Sequence, residues 1–365
     1  MSPEKSSPTS NHEKARVTLA DIAKRAGVSK SAASVVLHSP KKSTIRVGKA
    51  KAEEIKALAK ELGYIPNQAA RQLSLQRSKM WGVFCDAEPS ELNALRLAIL
   101  HKAARDKGYR LIVEYYDRNR PDLDSLMEVF HNLGVEGVIC LQHYYPNQHT
   151  LIPRQLTEHF KRVVFIEHPE IAESCFCGMD YIKMGKLVYQ TLRQHGPHPG
   201  LLLKNLLWYA GPIIAKGFTE AWKADHPEGE YPPIWLAEAS GEAEVPFDIT
   251  TAQRARDSWI LPNQLTGVAV WNDERATLVL NALQESGLQV PQDIAVLGIG
   301  NARICNLVRP MLSSIDLQVE HMINASVEML FQLCQDEQPP STEYWVEPLL
   351  QLRQSCPAQG NDGRG

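Results

Sequence analysis

The sequence predicts an α/β protein: a small all-α head followed by a two-lobed body built on two doubly wound, mainly parallel sheets. Three observations predict it. Residues Thr18 to Leu37 carry two short helical patterns joined by a tight turn, a helix-turn-helix. From Met80 onward, strand-like and helix-like segments alternate through two successive βαβ series. Charge is also segregated. From Val17 to Lys79 there are 13 Lys and Arg against 4 acids, a net +9. Residues 1–16 add +1, and because the 365-residue chain carries −3, residues 80–365 hold −13. A basic head gains affinity by releasing counterions from phosphates, and an acidic body discourages nucleic acid from adhering elsewhere.

The head is justified element by element. Thr18 and Ser29 are placed as N-caps, accepting from backbone N–H groups that a first helical turn leaves unpaired. Ile22, Ala23 and Ala26 recur at helical spacing, as do Ala33, Val36 and Leu37, and Gly27 ends the first helix in a left-handed conformation. In such a motif the second helix enters the major groove, which brings Lys30, Ser31 and Ser34 to base edges. A helical hairpin inside a larger enzyme is the plainer reading of this segment taken alone. A basic loop follows, with Lys41, Lys42, Arg46, Lys49 and Lys51. A third helix runs through Ile55, Leu58, Ala59 and Leu62 to Gly63, and Pro66 is suited to begin another.

In the body, strands are expected at Met80–Cys85, Tyr109–Tyr115, Val135–Leu141 and Arg162–Ile166, with helices at Glu91–Lys107, Leu123–Leu133 and Pro153–Phe160. The second series has strands at Gly200–Leu203, Ile234–Ala237, Gly267–Trp271 and Ile294–Ile299. Its helices are Tyr181–His195, Ile214–Asp225, Thr251–Trp259 and Glu274–Ser286. Ligands of such sheets bind beyond the carboxyl ends of the strands, so a cleft between two α/β halves is the candidate pocket.

No apolar run approaches the ~18–20 residues of a membrane span, and Met1–Arg16 lacks an apolar signal region, so a cytoplasmic protein is expected. The seven cysteines are scattered and odd in number, which argues against a disulfide framework. Cys175-Phe-Cys177 has no matching Cys or His pair nearby, and buried or incidental thiols are the plainer reading. No nucleophile–base set, metal cluster or phosphate loop is evident, and Gly298-Ile-Gly300 lacks the third glycine of a dinucleotide site. Neither an enzyme nor a cofactor is expected.

Thr18-Leu-Ala-Asp-Ile-Ala, Ala26-Gly-Val-Ser29, the Gly63-Tyr-Ile-Pro-Asn67 run and the Asn67, Ala70, Leu73 spacing together resemble the LacI family of bacterial transcription regulators. The resemblance continues through Ala269-Val-Trp-Asn-Asp273, Gly287-Leu-Gln-Val-Pro291, Pro310-Met-Leu-Ser-Ser-Ile315 and Trp345–Arg353, covering Val17 to Cys356. It implies a tail at 1–16, a DNA-binding domain at 17–66, a hinge helix and linker at 67–79, a bilobed periplasmic-binding-protein-like effector and dimerisation domain at 80–356, and a tail at 357–365. The first lobe would take about 80–178 and 315–340, the second about 179–314 and 341–356. Leu73 would be an apolar wedge in the minor groove, exchanging unstacking cost for a bent duplex; a core leucine in a linker is the plainer reading. Asp86, Glu167, Trp271, Asn272, Asp273 and Asn301 would face the effector, with Glu88 and Trp208 as further candidates. Asp273 is also placed to cap the following helix, and core packing is the plainer role of the tryptophans.

The partners implied are a pseudo-palindromic double-stranded operator, a second copy of the chain, and a small-molecule effector such as a sugar or related metabolite, with no membrane. The expected activity is repression by a homodimer under allosteric control; the alternative is a DNA-binding regulator with a vestigial pocket. Departures bear on both sites. Ile214 stands where many members have arginine, Asn301 replaces a carboxylate, and Val35 replaces an arginine of the recognition helix beside Ala32 and Ala33. The loop from Ser39 to Val47 is longer than usual, and the tail has no leucine heptads for a tetramer.

Overall fold

The computed structural model describes residues 17–38, 45–64, 77–87, 91–117, 122–142, 150–204, 209–226, 231–237 and 247–358. The chain divides into two compact units, Met1–Arg77 and Ser78–Gly365. The first unit holds α1 (Leu19–Arg25), α2 (Lys30–His38) and α3 (Lys49–Glu61). Thr18 closes a capping box with Asp21: its hydroxyl accepts from Asp21 N–H at 3.3 Å while its own N–H donates to Asp21 Oδ2 at 2.8 Å. Ser29 Oγ accepts from Ala32 N–H at 3.1 Å, starting α2. Gly27, at φ +64°, ends α1, where Val28 N–H reaches back to the Ala23 carbonyl. Ile22, Ala26, Ile55 and Ala59 form the buried centre, packed by Val36, Leu37, Leu58 and Tyr64.

The second unit contains two six-stranded sheets of identical winding. The first has strands β1 (Met80–Asp86), β2 (Arg110–Tyr116), β3 (Gly137–Cys140), β4 (Val163–Ile166), β5 (Cys175–Met179) and β11 (Glu343–Val346), in the order β11-β5-β4-β3-β1-β2. The second has β6 (Pro199–Leu203), β7 (Ile234–Leu236), β8 (Gly267–Val270), β9 (Ala295–Gly300), β10 (Ser313–Asp316) and β12 (Leu349–Gln351), in the order β12-β10-β9-β8-β6-β7. Every pairing is parallel except β10 with β12. Each order reverses beside its first strand, so the switch points lie between β1 and β3 and between β6 and β8. The covering helices are α4 (Glu91–Asp106), α5 (Leu123–Leu133), α6 (Leu151–His159), α7 (Tyr181–Arg193), α8 (Ala210–Asp225), α9 (Ile249–Ala255), α10 (Asp273–Glu285) and α11 (Val319–Cys334).

Several boundaries differ from expectation. Residues 341–356 do not all belong to the second lobe, because Glu343–Val346 pairs in parallel with β5 of the first sheet. Pro348, which lacks a ladder N–H, separates that strand from Leu349–Gln351, which pairs with β10. Ile315 and Asp316, placed at the start of a first-lobe segment, pair with Ile299 and Gly300 of the second sheet. Cys175-Phe-Cys177 is strand β5, and α11 covers the first sheet with Met322, Ile323, Ser326, Val327 and Leu330 buried at helical spacing.

The second lobe depends on a close crossing of α7 and α8. A Cβ on Gly185 would lie 2.2 Å from the Ile214 carbonyl oxygen, and one on Gly217 would lie 2.2 Å from that of Ile182. Backbone cannot yield there without separating the helices. Gly217→Ala should therefore destabilise the body by about 1–3 kcal/mol or more, measured by urea unfolding, with Gly134→Ala, whose Cβ would meet open space, as the strain-only comparison.

Candidate functional site

The candidate DNA interface is the start of α2. Lys30 and Ser31 are exposed in its first turn, Ser34 is half-buried one turn on, and Ala33 is fully buried against the neighbouring helices. Thr18 and Ser29 set the geometry by capping, as described above, and the unpaired N–H groups of a helix start favour phosphate. Among the head's bases, Lys51 pairs with Glu54 and Lys56 with Glu53, both at 2.8 Å on the surface; exposed pairs of this kind contribute little to stability. Asn67, Ala70 and Leu73 lie outside the described residues, as do Glu88 and Trp208.

The second candidate site is where the carboxyl ends of the two sheets meet. The chain crosses between sheets after β5, after β10 and between β11 and β12, and each crossing leaves a carboxyl end. Asp86 closes β1, Glu167 follows β4, Trp271 follows β8 and Asn301 follows β9, so sequence reasoning placed all four at strand ends. Asp86 is 3% exposed. Glu167 adopts φ +73° and is half-buried; its Oε2 accepts from Met179 N–H at 3.1 Å and its Oε1 from the Tyr181 hydroxyl at 2.8 Å. Arg96 Nη2 stands 3.7 Å from the same carboxylate, and its Nη1 donates to the Leu141 carbonyl. The Tyr181 ring meets Tyr209 and Trp271 edge-on, with centroids 6.2 and 6.4 Å away. Across the first switch point, Asn93 Nδ2 donates to Gln142 Oε1 at 2.7 Å.

The Asn272-Asp273 pair works differently from expectation. Asn272, rather than Asp273, caps α10, its Oδ1 accepting from Arg275 N–H at 3.3 Å. Asp273 is 1% exposed, with Oδ1 accepting from Ser314 at 2.6 Å and Oδ2 from Ala302 N–H at 2.7 Å. Gly298 and Gly300 make room for it: a Cβ on Gly298 would lie 2.1 Å from Asp273 Oδ1. This explains the Gly298-Ile-Gly300 pair without a dinucleotide. Asn301, at φ +52°, donates to Asp316 at 2.9 Å and accepts from Arg353 at 2.7 Å. Burial raises the carboxyl pKa values of both Asp273 and Glu167, opposed at Asp273 by the Ala302 N–H and at Glu167 by Arg96.

Sequence reasoning missed Arg96, Tyr181, Tyr209 and Arg353. A signal existed for Arg96: Asn93, Arg96, Leu100 and Ala104 form the buried stripe of α4, and two polar residues on an apolar stripe are anomalous.

Two family models match the chain: bacterial regulatory proteins of the lacI family at residues 18–67, and the periplasmic binding protein-like domain at residues 211–356. The chain thus carries a lacI-family match at its head and a periplasmic binding protein-like match in its body. Among its relatives, the HTH-type transcriptional repressor PurR of Klebsiella pneumoniae (strain 342) is 27% identical over 346 residues, 93% of this chain and 96% of that protein. PurR of Escherichia coli O139:H28 is 26% identical over 347 residues with the same coverage. A Lac repressor dimer bound to operator and the anti-inducer ONPF shares the fold at TM-score 0.77, with 22% identity over 94% of this chain and all of that one. A CelR–cellobiose complex aligns at TM-score 0.63, also at 22% identity, over 93% of this chain and all of that one. Among the described residues no helix is long and apolar enough to cross a membrane.

The Glu167 network carries a pH consequence. Its folded pKa stands above the ordinary glutamate value of 4.5, so the folded protein binds this proton more tightly than the unfolded chain. Glu167's contribution to stability is therefore lost as pH rises from 4.5 through the folded value. Thermal unfolding of Glu167→Gln beside the parent should show the variant gaining relative stability as pH rises through that window; a constant difference would place the proton elsewhere.

Proposed function

We propose that the protein is a transcriptional repressor that binds a pseudo-palindromic operator as a homodimer in the cytoplasm, without enzymatic activity. The observation that carries this reading is a capped helix-turn-helix head within a segment of net charge +9, followed by an acidic body of two sheets between which the chain crosses at carboxyl ends. Lys30, Ser31 and Ser34 of α2 read the major groove, Thr18 and Ser29 hold the motif against the backbone, and Asn67, Ala70 and Leu73 form a hinge segment whose leucine wedges the minor groove. A dimer places two heads on two half-sites. The relatives named as repressors and the Lac repressor dimer on its operator support the reading.

The body takes a small-molecule effector at the crevice formed by Asp86, Glu167, Trp271, Asn272, Asp273 and Asn301. Arg96 Nε, buried and without a hydrogen-bond partner among the described residues, supplies a donor to such a ligand. Binding would shift the population of lobe arrangements and with it the separation of the heads. One observation favours the second reading, a regulator with a vestigial pocket. Glu167, Asn272, Asp273 and Asn301 are all engaged by partners within the protein, leaving fewer acceptors for ligand hydroxyls. Thermal-shift screening of the full chain against candidate metabolites, with operator affinity measured beside it, separates the two. Stabilisation together with altered operator affinity supports the effector, whereas neither response across the screen supports the vestigial pocket.

Selection of bound fragments from genomic DNA with the purified protein tests the DNA-binding reading directly. Operator affinity should fall steeply with salt, by roughly a thousandfold or more between 50 and 200 mM if six or more phosphates are contacted. Leu73→Ala should weaken operator binding much more than binding to random DNA; equal loss on both would remove the wedge.

A further inference from the structure

We infer that Lys79, Tyr109 and Glu136 form a clasp that fixes the direction in which the linker leaves the body, and that Glu136 is thereby a positioning residue for operator recognition. The inference rests on the DNA-binding reading above. The body begins at Ser78, and Lys79 directly precedes β1. Lys79 adopts φ +54°, a left-handed conformation that a residue with a long side chain rarely holds unaided.

Two side chains hold it through three linked hydrogen bonds. Its backbone N–H donates to Glu136 Oε1 at 2.7 Å, its Nζ donates to the Tyr109 hydroxyl at 3.0 Å, and that hydroxyl donates to Glu136 Oε2 at 2.9 Å. The Lys79 carbonyl accepts from Arg110 N–H at 2.9 Å, and the Met80 carbonyl from Glu136 N–H at 2.8 Å. One residue is thus bound to the starts of β2 and β3 through main chain and side chain together. The Lys79 ammonium also lies 4.3 Å from the Tyr109 ring centroid, and that ring stacks on the buried Trp81 at 4.2 Å. Neighbouring charges belong to the same edge: Arg162 donates to the Glu136 carbonyl and pairs with Asp336 beyond α11.

Charge alone does not require this arrangement. A lysine and a glutamate at the surface would pair without drawing the backbone N–H into the same carboxylate, and a strained φ at a chain junction is stable only where its surroundings over-determine it. The consequence is directional: Lys79 cannot swivel while the carboxylate holds both its N–H and, through Tyr109, its ammonium. Two half-sites at fixed spacing reward a fixed exit direction, whereas random DNA does not.

The test uses the full chain, an operator fragment selected by the parent protein, and random DNA of equal length. Glu136→Ala and Lys79→Gly should each lose roughly tenfold in operator affinity while random-DNA affinity stays unchanged. Lys79→Gly should leave the melting temperature of the body at or above the parent's, since glycine adopts this φ without strain. Glu136→Gln, which keeps an acceptor for the Lys79 N–H, should recover part of the loss. Parent-like operator affinity in both variants, or equal fractional loss on both DNAs, overturns the clasp alone. A parent protein that selects no fragment overturns the DNA-binding reading and the clasp with it.

Discussion

The constraint on which the body depends is that its chain changes sheet only at carboxyl ends. β5 ends at Met179 and leads directly into Asp180 and α7 of the second lobe, β10 ends at Asp316 before α11 of the first, and β11 ends at Val346 two residues before β12. Because Asp316 pairs with Leu349, the returning strand enters the second sheet at its carboxyl edge. Parallel strands all point the same way, so three crossings at that edge hold the ends of both sheets together. Asp86, Glu167, Trp271 and Asn301 each close or follow a strand at that edge. Burial follows: a single run of apolar contacts extends from Trp81 and Ile139 in the first lobe to Leu201, Ala269 and Leu297 in the second.

Burial at that edge then decides what the polar side chains do. A carboxylate removed from water is costly unless its lone pairs are met, and here they are met from inside the protein. Asp273 binds Ser314 and the Ala302 N–H, and so ties the turn after β9 to the start of α10 and to β10. Gly298 and Gly300 are then dictated by space, since a side chain at Gly298 would occupy the position of the carboxylate. Glu167 joins the lobes through Tyr181, which begins α7. The same groups that would greet a ligand thus also determine how the two sheets are held.

Much of this was legible in the sequence where local chemistry and tertiary structure agree. Thr18, Ser29 and Gly27 are capping and turn residues whose roles follow from the backbone within a few residues, and the structure uses them so. Strands β1, β3 and β4 are fully or almost fully buried apolar runs and announce themselves. Legibility failed where a segment's neighbours are distant. β11 and β12 are three or four residues each, too short for a period, and only pairing across more than 30 or 160 residues separates them. The Asn272-Asp273 pair failed for a subtler reason: both residues favour caps, and which of them caps depends on the carboxylate of Asp273 finding Ser314, 41 residues further on.

Ile214 and Arg96 show how position and chemistry separate. At 214, on α8, an aliphatic side chain is wholly buried where helices α7 and α8 approach through Gly185 and Gly217. A guanidinium there would need desolvation and room, and that crossing provides neither. In the first lobe a guanidinium is accommodated: Arg96 stands in the buried stripe of α4 against Glu167. A buried guanidinium facing a half-buried carboxylate is poor evidence of stability, because desolvation offsets much of the attraction. Glu167 meets part of that cost with the Met179 N–H and the Tyr181 hydroxyl, and the Tyr181 ring stands edge-on to Tyr209 and Trp271.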